Sequence, residues 1–172
     1  SEMCIRDRTT PTTESVSGKA ALLESKDAVI KLGAGNIFTG DFALDGTNGV
    51  LQLGRPFTSF PTSLKFQYKY TSTTINRIGQ DVGSLENLRG RPDSCQIYIA
   101  LSDKPEPYEI RTKPSVRQVF DKNDRNIIAY GEFISGQSTT SYKQVEIPLE
   151  YRATNRTPKY ICLLYTSPSP RD

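Results

Sequence analysis

The sequence predicts an all-β fold, a sandwich of short antiparallel strands. Apolar and polar residues alternate with period two in several short stretches, most cleanly from Ser63 to Tyr70. Turn dipeptides such as Asp45-Gly46 and Asn48-Gly49 punctuate them. No apolar pattern is sustained at helical spacing, which leaves sheet packing as the way to build a core. The composition agrees: nine Tyr, seven Phe, 12 Gly and 11 Pro favour strands and turns. A length of 172 residues has room for one domain.

Thr9 to Glu14 is polar around Pro11 and reads as a linker or loop. Val16, Ala20, Leu22 and Leu23 form a mixed small and apolar stretch, and Val29, Ile30 and Leu32 a second. Gly33-Ala34-Gly35-Asn36 marks a turn. Ile37 to Leu44 reads as one strand with Gly40 as a bulge, and Val50 to Leu53 as a short strand. Pro56 and Pro61 frame an extended crossing from Arg55 to Pro61 that excludes helix. On the Ser63–Tyr70 strand, Leu64, Phe66, Tyr68 and Tyr70 share the inner face, and Ser63, Lys65, Gln67 and Lys69 the outer one.

Residues 71–92 read as a long loop with a weak apolar pattern at Ile75, Ile78, Val82, Leu85 and Leu88. Cys95 to Leu101 is a strand with Ile97, Ile99 and Leu101 inward and Tyr98 facing away from that core. Pro105, Pro107 and Pro114 make Lys104 to Pro114 an extended loop or edge. Ile127 to Ile134 is the next strand. Tyr142 to Tyr151 follows, with Val145, Ile147, Leu149 and Tyr151 on one face, and Lys159-Tyr160-Ile161 begins a last one. This pattern predicts a two-layer sandwich.

Histidine is absent, which excludes Ser-His-Asp and Cys-His machinery and most zinc sites. Lys plus Arg is 22 against 19 for Asp plus Glu, a net +3, too mild for a nucleic-acid footprint. Arg117, Lys122 and Arg125 add no basic patch beyond ordinary surface. No apolar run approaches the ~20 residues of a membrane helix. Gly33-Ala34-Gly35 is no nucleotide fingerprint, because no helical pattern follows it.

The two ends have a signature of their own. Residues 162–172 back-translate to one strand of an oligonucleotide, and residues 1–8 to the opposite strand. The oligonucleotide resembles a transposase sequencing adapter, so both ends are read as adapter-derived and non-native. Residues 9–161 then form the native part, a metagenomic fragment cut at both ends. Its charge remains +3, because the ends carry Arg6, Arg8 and Arg171 against Glu2, Asp7 and Asp172. On this reading Cys95 is the only native cysteine, a buried small hydrophobe, and no disulfide or redox compartment is specified.

Several segments together resemble a known family. They are Gly35-Asn36-Ile37-Phe38-Thr39-Gly40-Asp41-Phe42, the run from Gly54-Arg55-Pro56-Phe57 to Tyr70, Asp93 to Leu101, Ile128-Ala129-Tyr130-Gly131-Glu132 and Ile147-Pro148-Leu149-Glu150-Tyr151-Arg152. Their order and spacing resemble the putative carbohydrate metabolism domain, PCMD, over most of 15–161. The resemblance implies a jelly-roll β-sandwich in exported proteins of Gram-negative gut bacteria, at the cell surface and often lipid-anchored. It also implies immunoglobulin-like modules upstream and a glycan or polysaccharide partner. The family often has Gly then an aromatic where this chain has Phe66-Gln67, which removes one exposed aromatic.

Sugar binding needs an aromatic face for the apolar side of a pyranose and planar polar groups for its hydroxyls. Tyr98, Tyr130, Gln67, Lys69 and Arg55 are the ligand-binding candidates by chemistry; Tyr68 and Tyr70 belong with the core. Glycoside hydrolysis needs two carboxylates about 5–10 Å apart. Glu146 and Glu150 share a face but stand about 13 Å apart along a strand. Glu132 can meet one of them only across strands, in a pairing the sequence does not fix. No catalytic residue is therefore assigned. Asp121, Asn123, Asp124 and Asn126 resemble part of a calcium loop, but the sixth position is not Gly; a solvated turn is preferred and no cofactor or metal site is assigned. The expected function is a non-catalytic glycan-binding module. A glycoside hydrolase or lyase is the first alternative, and a structural or adhesive surface module the second.

Overall fold

The computed structural model describes residues 9–27, 32–33, 35–46, 48–75, 87–111 and 113–166. Val29 and Ile30, and Ile78, Val82 and Leu85, lie outside the described residues. In chain order the strands are β1 (Thr9–Thr12), β2 (Ala20–Leu23), β3 (Lys26–Asp27), β4 (Leu32–Gly33), β5 (Asn36–Phe38), β6 (Gly40–Asp45), β7 (Asn48–Leu53), β8 (Arg55–Pro56), β9 (Ser63–Tyr68), β10 (Cys95–Ser102), β11 (Tyr108–Arg111), β12 (Ile127–Ser135), β13 (Lys143–Pro148), β14 (Glu150–Tyr151) and β15 (Tyr160–Thr166). Every pairing among them is antiparallel. Among the described residues no helix is long and apolar enough to cross a membrane.

The molecule is an all-β sandwich built on one central sheet, ordered β14-β12-β10-β15-β5. β10 lies between β12 and β15 and is covered on both faces. Ile97, Ile99 and Leu101 point to one side, where Leu64 and Phe66 of β9 and Val145 and Ile147 of β13 close over them. Tyr98 and Ala100 point to the other side and meet Leu53 of β7 and Tyr108 of β11. The expected two-layer sandwich therefore gains a third, partial layer, the sheet β11-β7-β6. Tyr98 does turn away from the Ile97 core, but it enters a second one.

Two crossings knit the layers together. Ile37 to Leu44 is not one bulged strand. β5 pairs with β15, and β6 pairs with β7. The switch falls at Thr39-Gly40. Gly40 has φ 149°, and a Cβ there would sit 2.1 Å from the Gln52 carbonyl oxygen. Only glycine fits both the dihedral and the space. The hairpin returns at Gly54, and β8 rejoins β15 beyond the end of β5. Thr39 fills the gap between β5 and β8. Its hydroxyl donates to the Ile161 carbonyl at 2.9 Å and accepts from the Leu163 N–H at 2.8 Å. Its backbone N–H donates to the Leu163 carbonyl at 3.0 Å, and its carbonyl accepts from the Gly54 N–H at 2.8 Å.

The second crossing divides the Tyr142–Tyr151 strand. β13 pairs with β9 and β14 with β12, with a break at Leu149. The chain passes over Gly131, where a Cβ would lie 2.6 Å from the Pro148 carbonyl oxygen and 2.7 Å from an Ile147 methyl. Val145, Ile147, Leu149 and Tyr151 still face the same core, as the alternation predicts. At the N-terminus, the segment read as a linker forms β1, paired with β2.

β15 runs through the middle of the central sheet, between β10 and β5. Cys162, Leu163, Leu164, Tyr165 and Thr166 of this strand belong to the end that the sequence reading assigns to the adapter. Whatever nucleotides encode them, Cys162 is fully buried, and Leu163 and Tyr165 pack against the Ile97 core.

These contacts set two expectations. Thr39→Val removes both side-chain bonds and leaves the partly buried Leu163 N–H without its partner, so it should cost about 2 kcal/mol. Thr39→Ser keeps the hydroxyl and should cost under about 1 kcal/mol; urea denaturation separates the two. A chain ending at Ile161 exposes the β10 edge and both cores, and should give a collapsed proton spectrum where the full chain gives a dispersed one.

Candidate functional site

An aromatic column crosses the face of the central sheet that carries Tyr98. Tyr108 meets Phe120 edge-on at 5.2 Å, Phe120 stacks on Tyr98 at 5.0 Å and 15°, and Tyr98 lies 6.1 Å from Tyr130. Tyr98 and Tyr108 are buried, so Tyr130, half-buried, is where the column reaches solvent. The order follows from register. On β10 and β12, Tyr98 opposes Glu132 and Ala100 opposes Tyr130, placing Gln96, Tyr98, Tyr130 and Glu132 on one face.

Polar groups surround the end of the column. The Glu132 carboxylate accepts from Lys122 Nζ at 2.6 Å, from the Tyr130 hydroxyl at 3.1 Å and from Gln96 Nε2 at 3.2 Å. Lys122 Nζ lies 5.5 Å and the Arg152 guanidinium 5.7 Å from the Tyr130 ring centre, both within cation–π range. Arg152 also donates to the Lys122 carbonyl. Glu150 stands opposite Tyr130 on β14 and completes the face.

The Lys122 ammonium, followed by the Tyr130 and Gln96 hydrogen bonds, holds Glu132 below the usual glutamate range against the opposing effect of burial. Burial, reinforced by the Glu132 carboxylate, pushes Tyr130 up. The phenol therefore stays protonated and donates, and the carboxylate stays charged and accepts. Tyr98 is likewise pushed up by burial.

The calcium-like loop takes turn form. Asp121 Oδ1 accepts from the Asn123 N–H at 2.8 Å, and Asp124 Oδ1 from the Asn126 N–H at 2.7 Å and from Asn126 Nδ2 at 3.0 Å. These bonds shape the turn that carries Phe120 onto Tyr98 and Lys122 onto Tyr130. Among the described residues, no group of three or more acidic or cysteine side chains stands ready for a metal ion.

The five candidate residues fall in three places. Tyr98 and Tyr130 belong to the column, Tyr98 under the Phe120 loop and with no open face to offer. Arg55 lies at β8 and clasps Asp41 through both oxygens, at 2.8 and 3.2 Å, and the Gly40 carbonyl at 3.0 Å. It ties the crossing at Thr39-Gly40 rather than the aromatic site. Gln67 and Lys69 lie on the outer face of the β9 segment, where Lys69 pairs with Glu14. Sequence reasoning missed Gln96, Lys122, Glu132 and Arg152 as a group. The alternation of Gln96 and Tyr98 with Ile97 and Ile99 was the available signal, but the register that adds β12 to it was not.

Glu146 and Glu150 do not share a strand face, because the crossing at Leu149 separates them. Glu146 accepts from the Ser63 hydroxyl at 2.7 Å and faces Lys65 on the β9–β13 hairpin. Glu150 is instead the diagonal neighbour of Glu132, at a Cα spacing of about 7–8 Å.

Fold and site together define an all-β sandwich module with an aromatic, planar-polar patch on one sheet face. The model of the putative carbohydrate metabolism domain matches residues 5–171, and the chain belongs to that family. Two crystal structures share its fold. One is a putative glycoside hydrolase from Bacteroides thetaiotaomicron VPI-5482, with TM-score 0.64 and 19% identity over 94% of this chain and 50% of that one. The other is a putative glycoside hydrolase from Bacteroides vulgatus ATCC 8482, with TM-score 0.65 and 17% identity over 94% of this chain and 68% of that one. The chain thus spans half the length of the first. None of the curated proteins matches.

The depressed Glu132 carboxyl fixes the sign of a pH effect. Stability from this cluster is fully present above the ordinary glutamate value of about 4.3 and is lost as pH falls through the lower folded value. Carbon-detected titration should place the Glu132 midpoint below that of Glu in a model peptide. In thermal melts, the advantage of wild type over Glu132→Gln should shrink as pH falls from about 6 to about 3.

Proposed function

We propose that this chain is a glycan-binding module of an exported bacterial surface protein, with its polar contacts at the Tyr130 patch. The observation that carries the proposal is the fan of Gln96, Glu132, Lys122 and Arg152 around one half-open tyrosine. Gln96, Glu132 and Arg152 present donors and acceptors in fixed planes, as sugar hydroxyls require, and Lys122 adds a point charge. Tyr98 and Phe120 behind the ring hold its orientation, which lowers the ordering cost of binding. Membership of a carbohydrate-metabolism family supports a glycan as the partner.

One observation favours a second reading, hydrolysis. Glu132 and Glu150 are diagonal neighbours on one sheet face, and the two structural relatives carry the description glycoside hydrolase. Glu132, held ionised by Lys122, suits the nucleophile or base of such a pair and not its acid, so hydrolysis would assign the acid to Glu150.

A glycan array tests the proposal. The chain should bind a defined subset of glycans. Arg152→Ala and Glu132→Gln should each weaken that binding about tenfold or more, the effect of losing one charge-assisted hydrogen bond. Their thermal midpoints should stay within a few degrees of wild type. A blank array from folded protein would overturn the glycan reading. Release of reducing ends from a bound polysaccharide, abolished by Glu150→Gln, would replace binding with hydrolysis.

A further inference from the structure

We infer that Phe60, backed by Tyr151, is a stacking platform for one ring of a glycan chain that crosses the β14 edge to the Tyr130 patch; this rests on the glycan reading above. Phe60 is 50% exposed and stacks on Tyr151 with ring centres 6.2 Å apart and planes 29° apart. The Tyr151 hydroxyl donates to the Pro61 carbonyl at 2.7 Å, which locks the backing ring to the same loop. The loop is pinned on both sides. Phe57 N–H donates to the Lys159 carbonyl at 2.9 Å, and Leu149 N–H to the Thr62 carbonyl at 3.0 Å. Pro56 and Pro61 remove further backbone freedom. Phe60 is thus an aromatic face held in place at the surface, and its rotamer freedom is already spent before a ligand arrives.

The other exposed phenylalanine differs. Phe42 covers the bare backbone of Gly49, where a Cβ would lie 2.8 Å from its ring, so it serves the hairpin. The topology adds the direction of the ligand. β14 is the edge strand of the central sheet, and Tyr151 and Arg152 leave it on opposite faces. A chain lying across this edge stacks one ring on Phe60 and brings hydroxyls of a later ring to Arg152 and Glu132. A flat platform suits rings whose hydroxyls are all equatorial, because they present a C–H face on each side. That chemistry is found in β-linked glucose and xylose chains.

The protein contains no tryptophan, so Phe60→Trp places its only indole on the platform. Cellohexaose and xylohexaose are the probes. One of them should shift or quench the Phe60→Trp emission, with a calorimetric Kd equal to or tighter than wild type. Phe60→Ala should weaken that Kd about tenfold with an unchanged thermal midpoint. Phe60→Leu, which keeps the bulk and loses the flat face, should weaken it as much. Hexasaccharide binding with a silent indole and unweakened Phe60→Ala would overturn the platform and leave the glycan reading standing. Failure of both hexasaccharides to bind wild type, beside a positive array, would also overturn the platform alone. A blank array would remove both.

Discussion

The structure depends on how one chain leaves a sheet edge and comes back to it. β5 and β8 both pair with β15, end to end, and the β6–β7 hairpin emerges between them. At the gap, the Leu163 N–H of β15 would lose its partner, and a missing bond is costly on a half-buried edge. Thr39 supplies both a donor and an acceptor from its hydroxyl, so the ladder continues through a side chain. The excursion carries Leu53 over Cys162 and Ala100, which builds the second core. That core is what Tyr98 packs into, and Tyr98 in turn backs Tyr130. The solvent-facing patch is therefore three contacts away from a threonine at a strand break.

The two most distinctive sequence motifs meet at this point. Thr39, Gly40 and Asp41 come from the first and Gly54 and Arg55 from the second. Arg55 joins them through a bidentate contact to Asp41 and a bond to the Gly40 carbonyl. The clasp is exposed, so its Coulomb energy is modest, but its geometry fixes where the hairpin departs. The chemistry of Arg55 suggested a ligand contact; its position makes it a buckle. The residues these motifs bring to the crossing are accounted for by the change of sheets.

Much of the fold was legible because period-two alternation reports faces directly. Ser63 to Tyr70 and Cys95 to Leu101 became strands with the expected inner residues. What alternation cannot report is a change of partner. Ile37 to Leu44 and Tyr142 to Tyr151 keep their parity through Thr39 and Leu149, so each reads as one strand while the structure places its halves in different sheets. The glycines at the crossings, Gly40 and Gly131, mark them in the sequence, but a glycine in a strand signals a bulge as readily as a close approach. The site was less legible for a related reason. Gln96, Lys122, Glu132 and Arg152 come from β10, a loop, β12 and the residue after β14. Only the register of two pairings and a pair of Asx turns brings them to one ring.

The electrostatics of the patch suit the binding proposed for it, and they leave Glu132 unfit to be the acid of a carboxylate pair. Catalysis by two carboxylates requires their environments to differ, one wet or cationic and one apolar, so that the protonation states separate. Here Glu132 has the cationic environment, with Lys122, Tyr130 and Gln96 all stabilising its charge. Binding asks for the reverse: side chains whose charges and planes do not change as a ligand arrives. Glu132 fixed as an acceptor and Tyr130 fixed as a donor meet that condition.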